Sequence, residues 1–257
     1  MMNINQILET LKYGSEEDKF EAITIVRNRE PDKNILIYRW DEVRLKKFLE
    51  ELTTSRPFTL DELENVKSPL FEFISNNNGF WLNWYAAITL VDLKILDENL
   101  FVIIALEGNK VIKDIYDELG PKYDVAQNQV QNYTLHAVSQ FKESKKAGEY
   151  IKKCYDGKIF CPSDQDFDFY TVNRCEKAMY AFSALGNPKY RGLVEYCSVN
   201  YNDDSLSPEE SKQVKEAAKI ALELWGQKNY LEIVEYAEKM NPSKESTKKG
   251  FLSKFFH

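Results

Sequence analysis

An all-α fold is what this sequence predicts, on three observations. Helix-start signals recur along the chain: Ser15-Glu16-Glu17-Asp18, the capping box Thr59-Leu60-Asp61-Glu62, and Ser207-Pro208-Glu209-Glu210 with Pro at the first helical position. Apolar residues fall at 3–4 spacing, as in Ala178, Ala181, Leu185 and then Leu193, Val194, Cys197, and no long period-2 alternation competes. Turn-formers are scarce, with 10 Gly and 8 Pro in 257 residues, so connections are short. About eleven or twelve helices of roughly 10 to 18 residues are expected.

Taken in order, Ala22-Ile23-Thr24-Ile25-Val26 is an early apolar helical run, followed by Ile35 to Tyr38. Phe80-Trp81-Leu82-Asn83-Trp84-Tyr85 is the densest aromatic cluster. On one helix these side chains cannot all face a single core, so Trp81 or Trp84 is expected to be partly exposed, as a partner anchor or as packing between neighbours. Ala87-Ile88-Thr89-Leu90-Val91 leads into Leu100 to Ala105. Gly120-Pro121, Gly186-Asn187-Pro188 and Asn241-Pro242 stop and restart helices. Lys145, Lys146, Lys152 and Lys153, with Lys142 nearby, place a basic stripe on one helix, either a solvated face or a site for an acidic partner. Asp156 to Phe169 reads as a loop whose Phe167, Asp168 and Tyr170 suit a protein contact.

The clearest internal signal is a repeat. Lys177 to Cys197 and Ala217 to Ala237 superpose at a shift of 40 residues without a gap. Ala181 matches Ala221, Gly186 matches Gly226, Tyr190 matches Tyr230, and Val194-Glu195-Tyr196 matches Val234-Glu235-Tyr236. Each unit reads as helix, glycine turn, helix. A weaker copy runs through Ala137, Phe141, Ala147, Tyr150, Ile151 and Cys154, and the runs at Ala22 and Ala87 are degenerate copies. These residues resemble HEAT-like helical repeats of the PBS-lyase and armadillo type, with units of ~40 to 47 residues. The resemblance is clearest over 124–155, 170–200 and 207–240. It implies one right-handed α-α superhelix of about five degenerate hairpins over residues 1–242, with an insertion at 156–169 and a basic, aromatic tail at 243–257. An irregular helical bundle holding two similar hairpins is the alternative.

Several chemistries are excluded. There is no G-x-G-x-x-G, Walker A, H-E-x-x-H or G-x-S-x-G. Only His136 and His257 are present, so nucleophilic catalysis through histidine rests on His136, which reads as a structural helical residue. Cys154, Cys161, Cys175 and Cys197 lack the pairing of a zinc site and read as reduced, buried thiols. Asp164, Asp166 and Asp168 have calcium-loop spacing, but Phe169 and Cys175 stand where an EF-hand needs Gly and Glu. No catalytic, cofactor or metal residue is assigned, and no cofactor is expected.

The formal net charge is −7. The tail from 244 holds four Lys and one Glu, which leaves −10 for the helical body. An acidic body disfavours nucleic acid, whose binding relies on phosphate contacts. No apolar run reaches the ~18 residues of a membrane span, and the start lacks signal-peptide character, so a cytoplasmic location is expected. The tail can give at most weak contact with an anionic membrane surface. The reading is therefore a monomeric, non-enzymatic protein-binding module, an adaptor or an acidic inhibitor or immunity-type protein, with a basic partner in view. Its contact residues are Trp81, Trp84, Lys145, Lys152, Phe167, Asp168 and Tyr170. The alternative is a repeat-scaffold enzyme, since alkylpurine DNA glycosylases and bilin lyases resemble this architecture. No Trp here is followed one turn later by Asp, as the glycosylase resemblance requires. A binding module is expected to hold a shallow groove and no buried charged dyad; an enzyme, a carboxylate in a deep cleft beside aromatics.

Overall fold

A computed structural model describes residues 2–27, 42–54, 58–76, 78–119, 124–159 and 167–240. Among these residues every regular element is a helix, and there are twelve. They run α1 (Ile4–Tyr13), α2 (Glu16–Arg27), α3 (Glu42–Thr54), α4 (Leu60–Ser75), α5 (Phe80–Asp92), α6 (Glu98–Leu119), α7 (Asp124–Ser139), α8 (Lys145–Tyr155), α9 (Phe167–Leu185), α10 (Pro188–Asn200), α11 (Pro208–Glu223) and α12 (Tyr230–Met240). The all-α expectation holds. Two helices exceed the expected length: α6 has 22 residues and α9 has 19.

The predicted starts are built as the sequence dictates. Thr59 and Ser207 each accept a hydrogen bond from the backbone of Glu62 and Glu210, whose carboxylates accept from the cap residue's own N–H. Ser15 and Asp18 form the same reciprocal pair at α2. Two orphan donors are satisfied at each start, worth ~1 kcal/mol per cap.

The helices fall into two compact units, Met1–Val138 and Ser139–His257. In the first, α5 is the central element. Every residue from Trp81 to Val91 on it is buried. Helices α2, α4 and α6 pack against it, and α1 packs against α2 and α4. A helix apolar on all sides belongs in the middle of a bundle. The expected exposure of Trp81 or Trp84 is therefore corrected: Trp81 is 4% exposed and Trp84 0%. The premise of a single core face fails because α5 has neighbours all round.

Gly108 on α6 lets three helices meet. A Cβ there would lie 2.8 Å from Thr134 Oγ1 on α7 and 3.3 Å from Trp84 Nε1 on α5. In that gap the Trp84 indole donates to Thr134 Oγ1 at 3.1 Å, and the Thr134 hydroxyl donates to the Val130 carbonyl.

In the second unit α9 packs against α8, α10, α11 and α12, and α11 packs against α10 and α12. The two glycines matched by the 40-residue repeat touch. Gly186 and Gly226 have φ of 67° and 69°, and a Cβ on Gly186 would lie 3.1 Å from the Gly226 Cα. The Gly226 N–H donates to the Ser183 carbonyl at 2.8 Å. Both positions need left-handed backbone, and at Gly186 a side chain would also crowd the Gly226 backbone. Gly148 on α8 serves another close approach, with the Tyr190 ring lying where its Cβ would be.

The predicted loop at 156–169 is shorter than expected. Residues 156–159 form a turn, 160–166 lie outside the described residues, and Phe167 already begins α9. The 3–4 apolar spacing of α9 extends back through its aromatic start.

Candidate functional site

The first unit buries a charge cluster where two apolar runs end and a third helix meets them. Ala22-Ile23-Thr24-Ile25-Val26 is followed by Arg27 on α2, and Ala87-Ile88-Thr89-Leu90-Val91 is followed by Asp92 on α5. These two segments match each other at a shift of 65 residues. Thr24 and Thr89 both donate back to the carbonyl four residues earlier, at 2.8 and 2.7 Å. The helices lie side by side, with Phe20 stacked on Tyr85 at 4.4 Å and the Thr24 hydroxyl 3.3 Å from that of Tyr85. The matched end positions then carry opposite charges and pair: Arg27 Nη2 lies 2.9 Å from Asp92 Oδ2.

His136 of α7 completes the cluster, its Nε2 3.2 Å from Asp92 Oδ1. The side chains of Arg27, Asp92 and His136 are 4%, 9% and 4% exposed. The guanidinium lies between the rings of Tyr85 and Tyr133, 5.1 and 4.6 Å from their centroids. Burial opposes its charge, but Asp92 and the two tyrosines outweigh that, and its pKa stands above the ordinary arginine value. The expectation that no buried charged dyad exists is thus overturned. A buried pair of this kind adds little net stability over an apolar packing, yet loss of one partner strands the other.

The cluster is not legible in the sequence alone, because Arg27, Asp92 and His136 lie on three helices far apart in the chain and only their packing brings them together. A signal was present: the two matched A-I-T-x-V runs terminate in residues of opposite sign.

The predicted contact residues are not brought together. Trp81 is in the core, donating from its indole to Asp114 Oδ2 at 2.7 Å, and packs edge-on to Trp84 at 6.3 Å. Lys145 is 80% exposed and 3.9 Å from Glu149, while Lys152 is bonded to Asp156 and lies over the Tyr155 ring at 5.1 Å. Much of the basic stripe is thus balanced within α8 itself. Phe167, Asp168 and Tyr170 sit on the first turn of α9, and their side chains lie outside the described residues, as do Cys161, Asp164, Asp166 and the tail. Among the described residues no helix is long and apolar enough to cross a membrane.

The described cysteines lie in one region of the second unit. Cys154, Cys175 and Cys197 are buried free thiols. Cys175 Sγ lies 3.5 Å from the Tyr201 hydroxyl, and Cys197 Sγ lies 3.4 Å from that of Tyr155. Burial pushes the Cys175 thiol up to about 11 and raises that of Cys197. Such thiols are poor nucleophiles at neutral pH.

No family model matches this chain, and neither a curated protein nor a solved structure matches it.

Proposed function

We propose that the chain is a HEAT-like helical-repeat protein that binds a protein partner without catalysis, as an adaptor or an acidic inhibitor. The observation that carries this reading is the joint between Gly186 and Gly226. Two hairpins matched in sequence at 40 residues also meet in space at the matched glycines, as stacked repeats do. The side-by-side packing of the matched runs on α2 and α5 supports the same principle in the first unit. Stacked hairpins present long, rigid helix faces, which suit recognition of an extended protein surface.

A second reading, a repeat-scaffold enzyme, is favoured by the Arg27–Asp92–His136 cluster. Its enclosure by three helices and two tyrosine rings suits a structural clamp better than a reacting centre. The full chain, immobilised and used to capture partners from its native host, tests the proposal. Recovery of one basic protein at near-equal amounts is expected, and recovery of nucleic acid instead would overturn it.

A further inference from the structure

We infer that the outer face of α10 receives an amphipathic helix of a protein partner, seated on Gly192, Tyr196 and Val199 with its basic end towards Asp203 and Asp204. The inference rests on the binding reading above and gives it a place.

Glycine inside a helix lowers its stability relative to alanine, so an interior glycine calls for a packing reason. Three of the described helices carry one. At Gly108 on α6 the space of a side chain is taken by Thr134 of α7 and the Trp84 indole of α5. At Gly148 on α8 it is taken by the Tyr190 ring of α10. In both, a side chain from another helix presses onto bare backbone. Gly192 on α10 differs: it is exposed, and a Cβ there would meet nothing within 4 Å. No described residue uses that opening.

The residues beside it give a second, independent observation. Tyr196 and Val199 stand four and seven positions after Gly192, so all three share one stripe of the helix. Tyr196 is 57% exposed and Val199 67%. The inner face of α10 is already occupied, with Tyr190, Val194, Cys197 and Ser198 buried. Tyr236, the repeat counterpart of Tyr196, donates to Glu223 Oε1 at 3.0 Å. The position matched to Glu223 is Ser183, whose short side chain is fully buried, so Tyr196 is left facing solvent.

Charge selects the occupant. Lys189 stands one turn before Gly192, while Asp203 and Asp204 follow the end of α10, where the last carbonyls add negative partial charge. The stripe is therefore positive at its start and negative at its end. A partner helix with Lys or Arg at one end fits it, that end meeting Asp203 and Asp204. In its middle an aromatic ring covers Gly192, as Tyr190 covers Gly148, and apolar side chains meet Tyr196 and Val199.

The full chain is used to select from a displayed library of amphipathic helical peptides of about 20 residues. Selected sequences are expected to share an aromatic residue, apolar residues one and two turns further on, and Lys or Arg beyond them. Gly192→Leu, which fills the opening, should weaken their binding about tenfold while raising the thermal midpoint. Tyr196→Ala should also cost about tenfold, and Asp203→Asn with Asp204→Asn about threefold. Lower affinity with higher stability in Gly192→Leu separates a docking role from a structural one. Tyr13→Ala, which removes an exposed aromatic of the first unit, should leave binding unchanged. Circular dichroism confirms that each variant is folded. Failure to select a shared sequence overturns the docking stripe. So do peptides that bind Gly192→Leu and Tyr196→Ala as tightly as wild type, or that weaken equally with Tyr13→Ala. Each of these leaves the binding-module reading standing, whereas capture of nucleic acid by the full chain removes that wider reading.

Discussion

A single residue, Asp92, decides the stability of the buried cluster in the first unit. Asp92 holds both Arg27 and His136, so Asp92→Ala strands a buried guanidinium between two tyrosine rings. A loss of ~3–5 kcal/mol is expected in urea denaturation. Arg27→Met with Asp92→Leu should recover much of that loss, because an apolar pair avoids the desolvation cost. The thiols of the second unit give a pH signature. The unfolded Cys175 titrates at its ordinary 9.0 and the folded one at about 11, so the folded state retains the proton more strongly. The stability this confers is complete below pH 9 and is lost as pH rises towards 11. The urea midpoint of wild type should therefore fall more steeply across that interval than that of Cys175→Ala. In a Cys161→Ser background, the three described thiols should react with a disulfide reagent at pH 8 only after unfolding.

At the scale of the element, local chemistry was legible and tertiary chemistry was not. The starts at Ser15, Thr59 and Ser207 were readable because a cap is completed within four residues. The burial of Trp81 and Trp84 was not readable, because it depends on how many helices surround α5. The start of α9 was misplaced because Asp164, Asp166 and Asp168 drew attention to a polar loop, while the helical spacing continued beneath. The glycine joint was half legible: the match of Gly186 with Gly226 stood in the sequence, but their contact did not. It makes a paired prediction. Gly186→Ala places a Cβ 3.1 Å from the Gly226 Cα at φ of 67°, and should cost ~1–3 kcal/mol. Gly192→Ala, inside α10 with nothing within 4 Å, should stabilise by ~0.5–1 kcal/mol. Thermal unfolding of both variants reads the opposite signs.

For the whole molecule, charge is divided more unevenly than the net −7 suggests. Residues 1–138 carry 23 acidic and 15 basic side chains, a net of −8, while 139–257 carry 18 and 19, a net of +1. The acidity assigned to the repeat body as a whole therefore lies mainly before residue 139, outside the clearest repeats. The division into two units also makes damage local. In hydrogen exchange followed by mass spectrometry, Asp92→Ala should deprotect α2, α5 and α7 while α9 and α11 keep wild-type protection. Uniform deprotection would show that the two units unfold as one.

The meeting of Gly186 and Gly226 has a consequence for growth of the chain. Each repeat carries its own half of the connector, and the two halves are alike. A further 40-residue copy would arrive already equipped to attach to the one before it, with no new interface to evolve. A joint built from two like halves is modular, because what one half needs from its neighbour the other already presents.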